Sequence, residues 1–165
     1  MSCDTSLAVE ENEYKSTYNE LAAVRCKFEK ALTSNQAQCG LAKHFCLADR
    51  EGYSCKIAAS SDKCDELLKK LRKNSLFVLK LRDVSGPLPH NMEIRVQVGG
   101  LRGLLRLLEK KSENQSTLAA SAAAVDDING VLNKILDKYG TLDNLPYSEI
   151  MKSVVQFQGR KRRQR

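Results

Sequence analysis

Tryptophan is missing from this 165-residue chain, and four Phe and five Tyr are all the aromatic residues it has. So few rings argue against a base-stacking platform of the kind that grips single-stranded nucleic acid. No run comes near the roughly 18 apolar residues that a membrane span needs. The first thirty residues also lack the charged start, apolar stretch and small-residue cleavage site of a secretory leader. The expectation is a cytoplasmic protein with no membrane partner. Histidine occurs only as His44 and His90, and no serine sits in a nucleophile elbow, so hydrolytic chemistry has little support. GGLRG at 99–103 lacks the Lys and Ser or Thr that close a phosphate loop. The carboxylate pairs Glu10/Glu11 and Asp126/Asp127 are sequence neighbours. On a helix such neighbours diverge, so they read as surface or helix-start residues. Nothing here points to an enzyme.

Close cysteine pairs are also lacking. Zinc fingers and ribbons take ligands two to four residues apart, because one short turn then aims both sulfurs at one ion. The chain has six cysteines and no C-x-x-C, which removes those classes and the bacterial ferredoxin run. What it does have is concentration. Cys26, Cys39, Cys46, Cys55 and Cys64 crowd about one quarter of the chain, and only Cys3 lies apart.

The net charge of +7 resembles a nucleic-acid footprint until it is located. Arg160, Lys161, Arg162, Arg163 and Arg165 supply five of those charges, leaving +2 for the body. The tail is expected to be disordered, and is the candidate contact for nucleic acid or another phosphate.

Apolar periodicity marks out the elements. Tyr14, Tyr18, Leu21, Val24, Phe28 and Leu32 recur at steps of three and four, predicting a helix from Leu7 to Leu32. A second helix is predicted from Ala37 to Arg50, stopped by Gly52, with Cys39 and Cys46 on one side and Leu41, Phe45 and Ala48 on the other. Ser61 reads as the N-cap of a long helix reaching about Leu81, which would set Cys64 among the free amides of its first turn. SGPLPHN at 85–91 is a breaker. After it, residues 92–111 read as helix, with Arg95, Arg102 and Arg106 along one stripe and Gly99 and Gly103 on a smooth face. That stripe reads best as the exposed side of an otherwise buried helix. The competing reading is a short β-hairpin near residues 76–98. KSENQST at 111–117 is a polar linker, a helix over 118–139 ends at Gly140, and a last short helix starts near Asn144 and Pro146.

The whole reads as a mainly α single domain, a helical bundle of about five to six helices. Residues 1–84 form a Cys-bearing half, 85–158 a C-terminal half, and 159–165 the tail.

In a reducing cytoplasm a cysteine group of this density points to metal binding, redox chemistry or burial, rather than to disulfides. The candidate metal ligands are Cys26, Cys39, Cys55 and Cys64, each on a separate element, with Cys46 and His44 as substitutes. Four thiolates suit an iron-sulfur cluster, with zinc as the alternative. The strings LADREGYSC, VQVGGLRGLLRLL and YGTLDNLPYSEI resemble segments of small, uncharacterised cysteine-containing bacterial cytoplasmic proteins. The resemblance implies a bacterial cytoplasmic origin and brings no activity with it. The functional expectation is a small metal-binding protein in electron transfer or redox sensing, working with a protein redox partner. Its rival is a metal-free helical adaptor, or a nucleic-acid-associated protein that uses the basic tail.

Overall fold

The computed structural model describes residues 11–82, 88–109 and 124–157. Among these, the chain forms six α-helices and one two-stranded antiparallel hairpin. In order they are α1 (Glu11–Leu21), α2 (Glu29–Thr33), β1 (Ala42–Leu47), β2 (Arg50–Cys55), α3 (Ala58–Val78), α4 (His90–Glu109), α5 (Ile128–Tyr139) and α6 (Tyr147–Gln156). The mainly α expectation holds. No helix among the described residues is long and apolar enough to cross a membrane.

Helix α4 is the axis of the body. Val96, Val98, Leu101 and Leu104 are fully buried along it, facing Leu67 and Leu71 of α3, Ile135 of α5 and Ile150 of α6 in one continuous core. Its glycines set the approach of α6. A Cβ on Gly99 would sit 2.6 Å from the Val154 backbone, and one on Gly103 would sit 2.9 Å from that of Ile150. Gly99→Ala is therefore expected to force the two helices apart and to cost about 1–3 kcal/mol. A denaturant titration reads this as a lowered midpoint, and an unchanged midpoint would show that the two helices part freely.

The arginine stripe is not an exposed face. Arg95 donates from Nε to Val154 O (2.8 Å) and from Nη2 to Val155 O (2.7 Å), satisfying carbonyls left open at the end of α6. Arg106 bonds the side chains of Ser153 and Gln156. Arg102 reaches Gln36 and lies over the Phe157 ring. The stripe clamps helix to helix.

Three other expectations are corrected. The long first helix ends at Leu21, and residues 24–26 run extended beside β2 before the short α2. The second helix, over 37–50, is absent: its residues form a loop and β1, which pairs with β2 in the register Ala42↔Cys55, His44↔Tyr53, Cys46↔Glu51. The hairpin near 76–98 does not form either, because α3 runs through Val78 and α4 starts at His90. The residues of the tail, Cys3, residues 83–87 (the first part of the expected breaker) and the stretch 110–123 lie outside the described residues.

Candidate functional site

Four chain segments meet at one pocket, and each brings a cysteine. Cys26, Cys39, Cys55 and Cys64 line its wall together with Phe28 and Ile128. All four are free thiols, each partly buried. Its cavity volume is about 20 Å³, the room of roughly one water.

The extended run 24–26 acts as a third strand. Cys26 N donates to Tyr53 O (3.0 Å), Cys55 N donates to Val24 O (2.7 Å), and Arg25 and Ser54 bridge between them. Alternation along an extended chain sends neighbouring side chains to opposite sides. Cys26 accordingly enters the pocket, while Arg25 lies in a separate cleft on the other side. There Glu29 holds the junction together. Its Oε2 accepts from Arg25 Nε (3.1 Å) and Nη2 (2.8 Å), and its Oε1 accepts from Tyr53 N (3.2 Å) and from the Tyr18 hydroxyl. The helical body secures the same stretch through Gln97 of α4. Gln97 Oε1 accepts from Ala31 N (3.0 Å), and its Nε2 donates to Lys27 O (3.2 Å) and to Glu93 Oε1 (2.8 Å). Arg72 of α3 grips that same Glu93 with two bonds. A buried polar chain thus runs from α3 through α4 to the residues flanking Cys26.

Cys39 rides on a loop fastened to the start of α5. Gln38 N donates to Val125 O (2.7 Å), and Ile128 N donates to Gln38 O (2.9 Å). Asp127, the N-cap of α5, accepts from Gly130 N on one carboxylate oxygen (3.0 Å) and from Gly40 N on the other (3.1 Å). The adjacent-carboxylate pattern gave Asp127 its helix-start role, but not its reach to residue 40.

Cys55 ends β2 at the pocket's rim, its thiol donating to Ile57 O (3.2 Å). Cys64 projects from α3, but not from the first turn. The helix begins at Ala58 after an Ile57 N-cap, so Ser61 is internal and the dipole assistance expected for Cys64 is lost. Burial governs that thiol instead. It pushes Cys64 up to about 12, with further upward pressure from Cys26, Cys39 and Cys55. Burial likewise raises Cys26 to about 12, opposed in part by a hydrogen bond from the Phe28 backbone and reinforced by Cys39, Cys55 and Glu29. Each buried thiol thus feels the charge of its neighbours.

The two substitutes stand elsewhere. His44 and Cys46 lie two residues apart on β1, where a strand turns both to the same side, and neither lines the pocket. His44 packs against Tyr53 with centroids 5.0 Å apart, and Cys46 is disulfide-bonded, against the expectation that these cysteines form no disulfide. Among the described residues, no group of three or more His, Cys, Asp or Glu side chains is set to hold a metal ion. The four thiols share one pocket's walls without closing on one point. Searches of protein-family models, curated proteins and solved structures matched nothing to this chain.

Proposed function

We propose that this protein holds a thiolate-ligated metal centre on Cys26, Cys39, Cys55 and Cys64, an iron-sulfur cluster in preference to zinc, and serves electron transfer or redox sensing with a protein partner. One observation carries the reading: four sulfurs spread over 39 positions of sequence, on four different segments, line a single pocket. Inert burial asks only that each cysteine find apolar neighbours, and separate pockets would serve that equally well.

What supports the reading is the chemistry of the donors, not their present spacing, which brings no three of them together around one ion. Four free thiols face the space, and no carboxylate or imidazole lies among its lining residues. A cluster suits the spread better than a lone ion does, because each iron takes its own thiolate and the sulfurs need not all reach one atom. Such a group supplies one-electron chemistry when bound. The chain's own part is to fix the thiols, hold them out of bulk water and set Lys27 at the pocket wall. The Lys27 ammonium itself turns to Asp65, 3.5 Å from a carboxylate oxygen.

Anaerobic purification followed by iron, sulfide and zinc analysis tests the proposal. The expected result is brown protein with iron and acid-labile sulfide in equal amounts. Zinc without sulfide would replace the cluster by a structural ion. Colourless protein with neither metal, which reconstitution also fails to load, would overturn the reading in favour of a metal-free adaptor.

A further inference from the structure

We infer that Asp127 is a positioning residue for this thiol site, locking the Cys39 loop to α5 through Gly40. The inference rests on the metal-centre reading, and it draws the C-terminal half of the chain into a site whose cysteines all belong to the N-terminal half. Cys39 has no regular element of its own; it lies between α2 and β1. Its place comes from what its neighbours bond. On one side, Gln38 exchanges backbone bonds with Val125 and Ile128. On the other, Gly40 is held at both of its backbone polar groups: N–H to Asp127 Oδ1 (3.1 Å), and C=O from Lys56 Nζ (3.1 Å). Lys56 follows Cys55 directly, so one residue, Gly40, couples two of the four thiols to the first turn of α5. Ile128 and Asn129 of that turn are themselves part of the pocket wall.

Asp127 is suited to this because its two oxygens do separate jobs, one capping Gly130 N and the other holding Gly40 N. Serine is also a good N-cap, but it carries one oxygen on a shorter arm. Asp127→Ser therefore keeps the helix start and releases the loop, which separates a positioning role from a capping one.

The test measures iodoacetamide modification of each cysteine by mass spectrometry, in metal-free protein, with substitution of the exposed neighbour, Asp126→Ser, as the control. In Asp127→Ser, Cys39 is expected to react about tenfold faster relative to Cys64, with the thermal midpoint close to wild type. In metal-loaded protein, release to a chelator is expected to quicken by about 10–100-fold, the usual consequence of losing a supporting contact. An unchanged Cys39 rate would overturn the inference. So would an equal rise at all four cysteines, which would report general loosening instead. A wild type that takes up neither iron nor zinc sinks the metal reading alone, since the alkylation comparison still decides whether Asp127 places Cys39.

Discussion

Cys64→Ser and Cys26→Ser, each alone, are expected to abolish loading of the proposed metal centre, while Cys46→Ser loads it in full. Burial raises both of these thiols, and each feels the charge of Cys39 and Cys55. Serine offers a hydroxyl that does not ionise near neutral pH and is a poor ligand for iron or zinc, so three thiolates would have to carry the centre. Losing a supporting contact costs about 10–100-fold in metal affinity, and losing a ligand should exceed that range. Metal analysis after desalting, alongside visible absorbance, measures the outcome. Cys46 tests specificity: it shares the hairpin with Cys55, but lies outside the pocket and is already disulfide-bonded. Equal metal content in Cys46→Ser and Cys64→Ser would show that the pocket is not the binding site. If the cysteines are only packing, Cys64→Ser lowers the unfolding free energy by about 1–3 kcal/mol, the cost of a poorly paired buried hydroxyl, and the metal content does not change.

The helices of the body were legible in the sequence because each carries its own apolar stripe, although the one predicted over 118–139 begins only at Ile128, Val125 bridging to Ala37 instead. Residues 92–111 turned on a single argument: one period of 3.6 accounts for the whole stretch, whereas alternation accounts only for Met92 to Val98. Helix α4 follows that period, and its glycine face meets α6 as the smooth side implied. The site region was misread for the opposite reason, that its local pattern is overruled by partners distant in sequence. Leu41, Phe45 and Ala48 have helical spacing, yet β1 forms because Ala42 to Leu47 find β2. The turn between the strands gives no warning. It is built on Ala48 and Asp49, with Ala48 in the left-handed region at φ 54°, where Asn-Gly or Asp-Gly is the expected signal. Likewise Val24 continues the apolar spacing of α1, but its carbonyl accepts from Cys55 N of β2 instead. The choice of Cys26, Cys39, Cys55 and Cys64 rested on the separateness of the segments rather than on their conformation, and those four cysteines line one pocket. Asp127 gave no sequence signal of its second role, since its contact spans 87 positions. The arginine stripe was legible as a stripe, but its partners on α6 were not, because they are mainly backbone carbonyls.

Above about pH 9, metal-free protein is expected to lose stability steeply while metal-loaded protein does not. The Cys26 and Cys64 thiols have an ordinary value of 9.0 when exposed and are pushed up to about 12 in the fold, chiefly by burial. The fold therefore favours the neutral thiol. Below pH 9 both states keep the proton, and the contribution is fully present. Between 9 and 12 the unfolded chain ionises and the folded one resists, so folding must hold a proton that the unfolded state has released. That contribution is lost as pH rises, at up to about 1.4 kcal/mol per pH unit for each thiol. In the loaded protein the protons leave when the metal binds, so alkali has none left to take and this slope vanishes. Competition runs the other way in acid, where protons displace the metal from its thiolates. Urea midpoints taken from pH 8 to 11 on loaded and chelator-treated protein measure the difference, and lysines and tyrosines common to both forms cancel from the comparison. A Cys26→Ala/Cys64→Ala double variant should lose the slope without any metal. Identical slopes in the loaded and stripped protein would mean that these two sulfurs keep their protons in both, and so do not bind the metal.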